Sequence, residues 1–273
     1  MSATLQADAA TAAMPQRNSR LWKTPAVLTV LRLLIVAVVL VSWEFSSDRI
    51  ISKFWVSSPT AVFAVFQLWV IDGSLWIHLG ATLQAIVIGY VIGCASGILL
   101  GLLLGFLPRV QRIFVPFFSA FYALPKIALA PLFVIILGIG IESKICLVAV
   151  TVFFLLLFAT MDGMRDIDED VVESLEIMGA TRTEIATKLV MPAAKPWIFT
   201  GMRLSVRYAM TAAILGEVIA ANRGIGFLIE YNSGMFNAAG VFAAVALLVL
   251  FGVAVTEFLT RFERGSAVEK LPF

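Results

Sequence analysis

Residues 166–203 read DIDEDVVESLEIMGATRTEIATKLVMPAAKPWIFTGMR. This is the one long polar stretch set between apolar runs, and it is patterned. Val171, Leu175 and Met178 recur at helical spacing, with Glu173 and Glu176 on another face. Asp168, Glu169 and Asp170 stand where the positive end of a helix dipole favours acids. Gly179 ends that helix as a C-terminal glycine does. Thr181-Arg182-Thr183-Glu184 predicts a capping box opening a second short helix, in which Glu184 and Lys188 pair at i,i+4 and beyond whose apolar end lies Pro192. A loop that only reconnects two spans needs no such order. The helix–glycine–helix unit therefore predicts a docking surface.

Outward from this stretch the chain is apolar. It is 60% hydrophobic and 14% charged, against about 45–50% and about 25% in soluble domains. The apolar residues fall in long runs, so the composition predicts one all-α polytopic membrane domain. A net charge of +2 is too small to argue for nucleic acid. Cys94 and Cys146 lie inside apolar runs and read as buried thiols rather than a disulfide framework.

About six spans are expected. Residues 1–24 form a polar tail, and residues 25–43 are a first span that is retained, since no small-residue cleavage site follows it. Arg32 interrupts that span. Residues 44–80 are extracytoplasmic and contain a short helix opened by Ser57, Ser58 and Pro59. The transmembrane core runs over 81–262, with a polar loop at 162–196, and residues 263–273 are a charged tail. Within the core the spans are expected at 81–107, 113–137, 145–160, 197–221 and 238–259. Pro108, Arg109 and Arg112 end the first of these, and Pro116, Pro125 and Pro131 break the second.

Gly89, Gly93, Gly97, Gly101 and Gly105 recur every fourth residue through 81–107. Such a stripe lets a neighbouring backbone approach closely. It winds around the helix, because four residues overshoot a turn by about 40°. A sliding surface and static close packing are both open, and static packing is preferred.

Orientation follows from lysine and arginine placement. With the N-terminus inside, the inner side carries Arg17, Arg20, Lys23, Arg109, Arg112, Arg165, Arg182, Lys188, Lys195, Arg261, Arg264 and Lys270. The outer side carries Arg49, Lys53, Lys144 and Arg223. Both termini and the 162–196 loop are then cytoplasmic.

Catalytic chemistry lacks residues. His78 is the single histidine, which excludes an HExxH zinc site, and there is no G-x-S-x-G elbow. The acids between Asp162 and Glu176 lack calcium-loop spacing, so no metal site is expected. No G-x-x-x-x-G-K-[ST] is present, so ATP hydrolysis, if it drives this protein, belongs to another chain. Ionisable residues within spans are functional candidates. Lys126, Arg207 and Glu217 are the pathway candidates, with interhelical pairing, or a helix break that lets it reach the interface, as the structural alternatives for Lys126. Arg207 and Glu217 lie about 15 Å apart along one helix and cannot pair within it.

Glu173-Ser174-Leu175, Gly179-Ala180, Leu189, Pro192, Ala193, Pro196, Ile198, Gly201 and Arg203 resemble the EAA motif of the permeases of binding-protein-dependent ABC importers. Ser174 and Leu175 replace the motif's two alanines, and Met191 stands where leucine is usual. Ser58-Pro59, Thr82-Leu83, the glycine stripe, residues 125–132, Gly138-Ile139-Gly140 and Gly224-Ile225-Gly226 after Glu217 look like the nitrate/sulfonate/taurine branch. The resemblance covers roughly residues 57–264 in order. It implies a type I ABC importer permease fold in the inner membrane, a second permease copy, two ATPase subunits and an extracytoplasmic solute-binding protein. No cofactor is then expected in this chain, since ATP and magnesium sit on the ATPase. Val171, Glu173, Leu175, Glu176, Met178, Gly179, Ala180, Pro192 and Arg203 become the ATPase-coupling residues. Arg203 is assigned there to the loop's carbonyls or acids in preference to substrate. The implied cargo is a small solute, with alkanesulfonate, taurine or nitrate leading and a thiamine-precursor pyrimidine or an aromatic acid as alternatives. A channel or secondary carrier, working without ATP, is the rival class and leaves the ordered loop unexplained.

Overall fold

The computed structural model describes residues 25–50, 52 and 54–265, as helices joined by short turns. The tail at 1–24, with Arg17, Arg20 and Lys23, and Lys53 and Lys270 lie outside the described residues. The chain divides into two units, Met1–Thr60 and Ala61–Phe273.

In the first unit α1 (Pro25–Ser46) is a single apolar helix. Its C-terminal turn is stapled to the segment that follows. Trp43 Nε1 donates to the Ser57 carbonyl at 2.6 Å. Glu44 takes the backbone N–H of Thr60 at 3.1 Å and its hydroxyl at 2.9 Å. The start of α2 (Pro59–Ile71) thus receives a carboxylate, which suits the exposed N–H groups of a helix N-terminus. Ser58 meets the hydroxyl of Thr60 at 3.0 Å.

In the second unit the helices are longer than the apolar runs. α3 (Ser74–Gly105) begins at Ser74 rather than residue 81, because Asp72 Oδ1 accepts the Ser74 N–H at 2.8 Å and holds the turn that opens it. α4 (Pro108–Ala123) starts on Pro108, so Arg109 and Arg112 belong to its first turns instead of ending α3. Pro116 is carried inside α4. The chain breaks once, after Ala123, where a 3-10 turn (Lys126–Leu129) leads into α5 (Ala130–Leu137). The two arms of this broken span meet at 87°. α6 (Ile141–Arg165) extends the expected short span at both ends.

After the polar loop, with α7 (Glu169–Ile177) and α8 (Arg182–Ile185), comes α9 (Met191–Ile219). A π-helical turn over Ala186–Val190 joins α8 to α9 without a break. The second short helix therefore does not stop before Pro192, as its proline predicted. Widening the helix one turn earlier accommodates a proline that lacks an N–H and whose ring crowds the preceding turn. α10 (Ile225–Gly234) was not anticipated, and α11 (Ala238–Gly265) completes the chain.

Among the described residues four helices are long and apolar enough to cross a membrane, and the bent pair makes a fifth if it is one span. α9 is the sixth. Its 29 residues run the length of α6, but Arg203, Arg207 and Glu217 lower its hydropathy.

α6 is the central helix, with α3 on one side and α9 on the other. Leu147, Val148, Val152, Leu156 and Leu157 are fully buried along it. A Cβ added at Gly89 would lie 2.7 Å from Val148 Cβ. At Gly93 it would lie 2.6 Å from the Ala149 carbonyl, at Gly97 2.6 Å from the Phe153 carbonyl, and at Gly101 2.7 Å from Thr160 Cβ. At Gly105 it would strike the Met164 side chain. The residues met advance in step with the glycines, so α3 and α6 run parallel and the broken span carries the chain back between them. On the other side Gly163 faces Trp197, Gly201 faces Ala159 and Gly216 faces Leu147, so α9 runs antiparallel to α6.

Replacing Gly93 or Gly97 by alanine is expected to lower stability by about 1–3 kcal/mol through overpacking against backbone. Gly80, with nothing within 4 Å of a built Cβ, is the control, and alanine there is expected to gain up to about 1 kcal/mol of helix propensity. Thermal unfolding of the purified variants in detergent checks the order. Equal melting of the Gly80 and Gly93 variants would show that α3 and α6 do not touch in this way.

Candidate functional site

The polar loop is built from local signals, and each is realised. Asp168 accepts the Asp170 N–H at 3.0 Å and opens α7. The helix closes through two hydrogen bonds, Gly179 N–H to the Glu176 carbonyl and Ala180 N–H to the Leu175 carbonyl, each at 3.0 Å. This Schellman closure requires a residue at positive φ, and Gly179 has φ +85°. Glycine is needed there for its backbone, since open space surrounds the position of a Cβ. Thr181 and Glu184 then form both halves of the capping box, at 3.3 and 3.1 Å. Lys188 Nζ reaches Glu184 Oε1 at 2.9 Å. The Thr181 N–H, then the Lys188 ammonium and the Thr181 hydroxyl, hold the Glu184 carboxyl down at about 2.

The loop is anchored at its base. Trp197 Nε1 donates to Asp166 Oδ2 at 3.2 Å, and the indole rests on Gly163. The end of α6 and the start of α9 are thereby joined. On the outer surface Glu173 and Glu176 are exposed and Leu175 is half-buried. Val171, at 44% relative exposure, and Met178, at 82%, are open, and so is Ile177 at 81%. Ile177 was passed over because it lies off the Val171–Leu175–Met178 spacing. Leu175, Met178, Gly179, Ala180, Glu184 and Lys188 border a groove of about 390 Å³. These apolar side chains are exposed on a polar loop that is capped at both ends of α7.

The three pathway candidates are not brought together. Lys126 sits at the break of the bent span, where Nζ donates to the Tyr122 carbonyl at 2.8 Å and lies 4.0 Å from the Tyr122 ring. It caps the C-terminal end of α4 and borders a cavity of about 340 Å³ with Tyr122, Thr151, Tyr208 and Thr211. Arg203 and Arg207 border a different, smaller cavity against Thr256 and Thr260 of α11. Both arginines are exposed, on the same face of α9 as Thr200, Leu204, Tyr208 and Thr211. The opposite face is small and buried, through Gly201, Ser205, Ala209, Ala212 and Gly216.

Glu217 lies at the far end of α9 from the loop and is 2% exposed. Its Oε2 accepts from Thr82 Oγ1 at 3.0 Å and from the Gly226 N–H at 2.9 Å. Thr82 Oγ1 also takes the Ile225 N–H at 2.9 Å, and His78 Nδ1 takes the Gly224 N–H at 3.1 Å. The start of α10 is thereby tied to α3 and α9. Gly224, at φ +123°, lies directly over the carboxylate, where a Cβ would collide with it. Lys144, expected in an outer turn, is buried at 4% and donates to the Ile139 and Gly140 carbonyls. Thr82, His78 and Lys144 had no periodic signal. Only the return of α10 onto α3 brings them to one place.

Residues 97–266 match the family model described as Binding-protein-dependent transport system inner membrane component. The chain is 34% identical to the formylaminopyrimidine transport permease protein ThiX of Halalkalibacterium halodurans, over 78% of this chain and 85% of that one. It is 37% identical to the riboflavin transport system permease protein RibX of Chloroflexus aurantiacus, over 72% and 74%. It is 30% identical to the taurine transport system permease protein TauC of Escherichia coli, over 78% and 76%. Among solved structures, the inward-facing MetNI methionine ABC transporter (CY5 native crystal form) superposes with a TM-score of 0.56 at 21% identity, covering 73% of this chain and 97% of that chain. At that identity the likeness is one of fold.

Because Glu184 is held down, its capping role is present above the ordinary carboxylate value of 4.5 and is lost as pH falls towards about 2. A titration of ¹³C-labelled glutamate carboxyls should find one group with a midpoint near 2, absent in Thr181→Ala. Thr82→Val keeps the shape but strands the Ile225 N–H. It is expected to lower stability by about 1–3 kcal/mol, read as a fall in melting temperature. An unchanged melt would mean that the Thr82 hydrogen bonds are not formed.

Proposed function

We propose that this chain, which belongs to the family of binding-protein-dependent transport system inner membrane components, imports a small organic or inorganic acid and is driven through the loop between α6 and α9. As a member of that family it is a multi-pass inner-membrane permease of an ABC importer and not an enzyme. Membership brings an ATPase and a binding protein as partners.

One observation carries the reading of cargo and pathway. α9 turns Arg203, Arg207, Tyr208 and two threonines outward along one exposed face within its span. Facing lipid, an arginine at mid-membrane costs about 2.5–3.5 kcal/mol even by the lowest scales. That face therefore belongs against protein or water, and a second copy of this chain opposite it would enclose a positively charged route. Sulfonates suit such a wall, and TauC supports them by likeness. A second reading is favoured by the cavity between Tyr122 and Tyr208. Paired aromatic rings suit a flat heteroaromatic solute, and ThiX and RibX support that class.

Coupling rests on the loop. α7 is short and capped at both ends, and it follows the end of α6, which Trp197 and Asp166 join to the start of α9, so in this reading a push on the loop is passed to both helices. In this reading Glu173 and Glu176 meet basic groups of the ATPase, and Val171, Ile177 and Met178 supply apolar contact. ATP and magnesium remain on the ATPase.

Glu173→Arg is expected to reduce co-purification with the ATPase and to lower ATP-driven uptake about tenfold or more, as reversal of an interface charge does. Undiminished uptake and ATP hydrolysis in this variant would remove the coupling role. For cargo, mass spectrometry of the ligand carried by the partner binding protein should find a small acid. A heteroaromatic base found there would replace the acid reading with the second one.

A further inference from the structure

At the end of the bundle opposite the loop, a cavity of about 300 Å³ opens between α3, the start of α6 and the 220–224 turn. Its wall holds a buried amine and a buried carboxyl, those of Lys144 and Glu217, each less than 5% exposed. Among the described residues they form no ion pair with each other. Lys144 uses two of its N–H groups on the Ile139 and Gly140 carbonyls and has one left. Glu217 takes the Thr82 and Gly226 hydrogen bonds on Oε2, and its side chain borders the cavity. At the rim stand Gln84, Asn222 and Arg223, all exposed.

Buried charges are normally paired. Here the pairing groups are held apart with a cavity between them. A simple anion would meet the Glu217 carboxylate, and a simple cation would meet Lys144 and Arg223. A molecule carrying both charges satisfies both walls. We propose that this cavity binds a small zwitterion, its acid group directed to Lys144 and Arg223 and its ammonium to the Glu217 carboxylate. Gln84 and Asn222 offer neutral amide partners to the same acid group. The volume is at the small end of ligand sites, which suits an amino acid of a few heavy atoms such as an amino-sulfonate. The rim is open at the end of the bundle away from the loop, so the site is loaded from that side. This inference rests on the reading of the chain as an importer of acids and narrows it to acids that also carry an amine.

The test uses the complex of this chain with its ATPase in lipid nanodiscs, with the binding protein left out. Taurine, ethanesulfonate and ethylamine are titrated by calorimetry. Taurine is expected to bind about tenfold or more tightly than either single-charge analogue. Glu217→Gln, which retains acceptors for Thr82 and Gly226, is expected to bring taurine to the level of ethanesulfonate. Arg223→Gln, at the exposed rim, is expected to weaken both sulfonates and leave ethylamine unchanged, and it carries the test if the Glu217 variant fails to fold. Equal binding of taurine and ethanesulfonate by the unsubstituted complex, or no binding of either, would overturn the site and leave a water-filled gap between two structural charges. Uptake with the binding protein present separates the two levels. If no acid is taken up, the importer reading fails. If acids are taken up but taurine and ethanesulfonate bind alike, only the zwitterion site fails.

Discussion

Backbone-to-backbone contact between α3 and α6 is the constraint on which the rest of this molecule depends. In a bilayer, helices gain little from burying apolar side chains against one another, because lipid is equally apolar. Association must come from close van der Waals contact, and that needs faces without side chains. The stripe from Gly89 to Gly105 supplies one, and it meets a row on α6 that advances in step. With α6 fixed on α3, its other side accepts α9 through Gly163, Gly201 and Gly216. Three helices then pack as one block, with the polar loop at one end and the Thr82–Glu217 hydrogen bonds at the other.

Polar groups within this block serve to close it. Lys126 closes the end of α4 at the break of the bent span. Thr82 and Glu217 Oε2 close the backbone at the start of α10. These groups answer the requirement that irregular backbone at membrane depth find partners inside the protein. On the exposed face of α9 the Thr200 and Thr211 hydroxyls donate back to the Pro196 and Arg207 carbonyls of their own helix.

The loop and the block are mechanically continuous. At one strand of the loop Trp197 sits on Gly163 and holds Asp166. At the other, α8 passes through a π-helical turn into α9 without a break. The base of the loop is therefore joined to both helices, by a side-chain hydrogen bond at the end of α6 and by continuous helix into α9. The Schellman closure at Gly179 and the capping box at Thr181 fix the turn between α7 and α8.

By itself the sequence determined what depends on near neighbours. The spans, the α7 caps, the Gly179 turn, the capping box and the Glu184–Lys188 pair were legible, because each is set by residues within about one helical turn. The glycine stripe was legible as a contact face, though not its partner. Helix ends were less so: α3 begins at Ser74 and α9 runs back past Pro192, because turn geometry and a widened helical turn, not hydropathy, decide where a helix stops. Only the tertiary structure decided that Lys126, Arg207 and Glu217 border three separate cavities, and that Lys144 is buried opposite Glu217. Those placements come from helices far apart in the chain, packed parallel or antiparallel through small residues. No local period carries that information, since a charge at membrane depth looks the same in sequence whether it closes a backbone or faces a ligand.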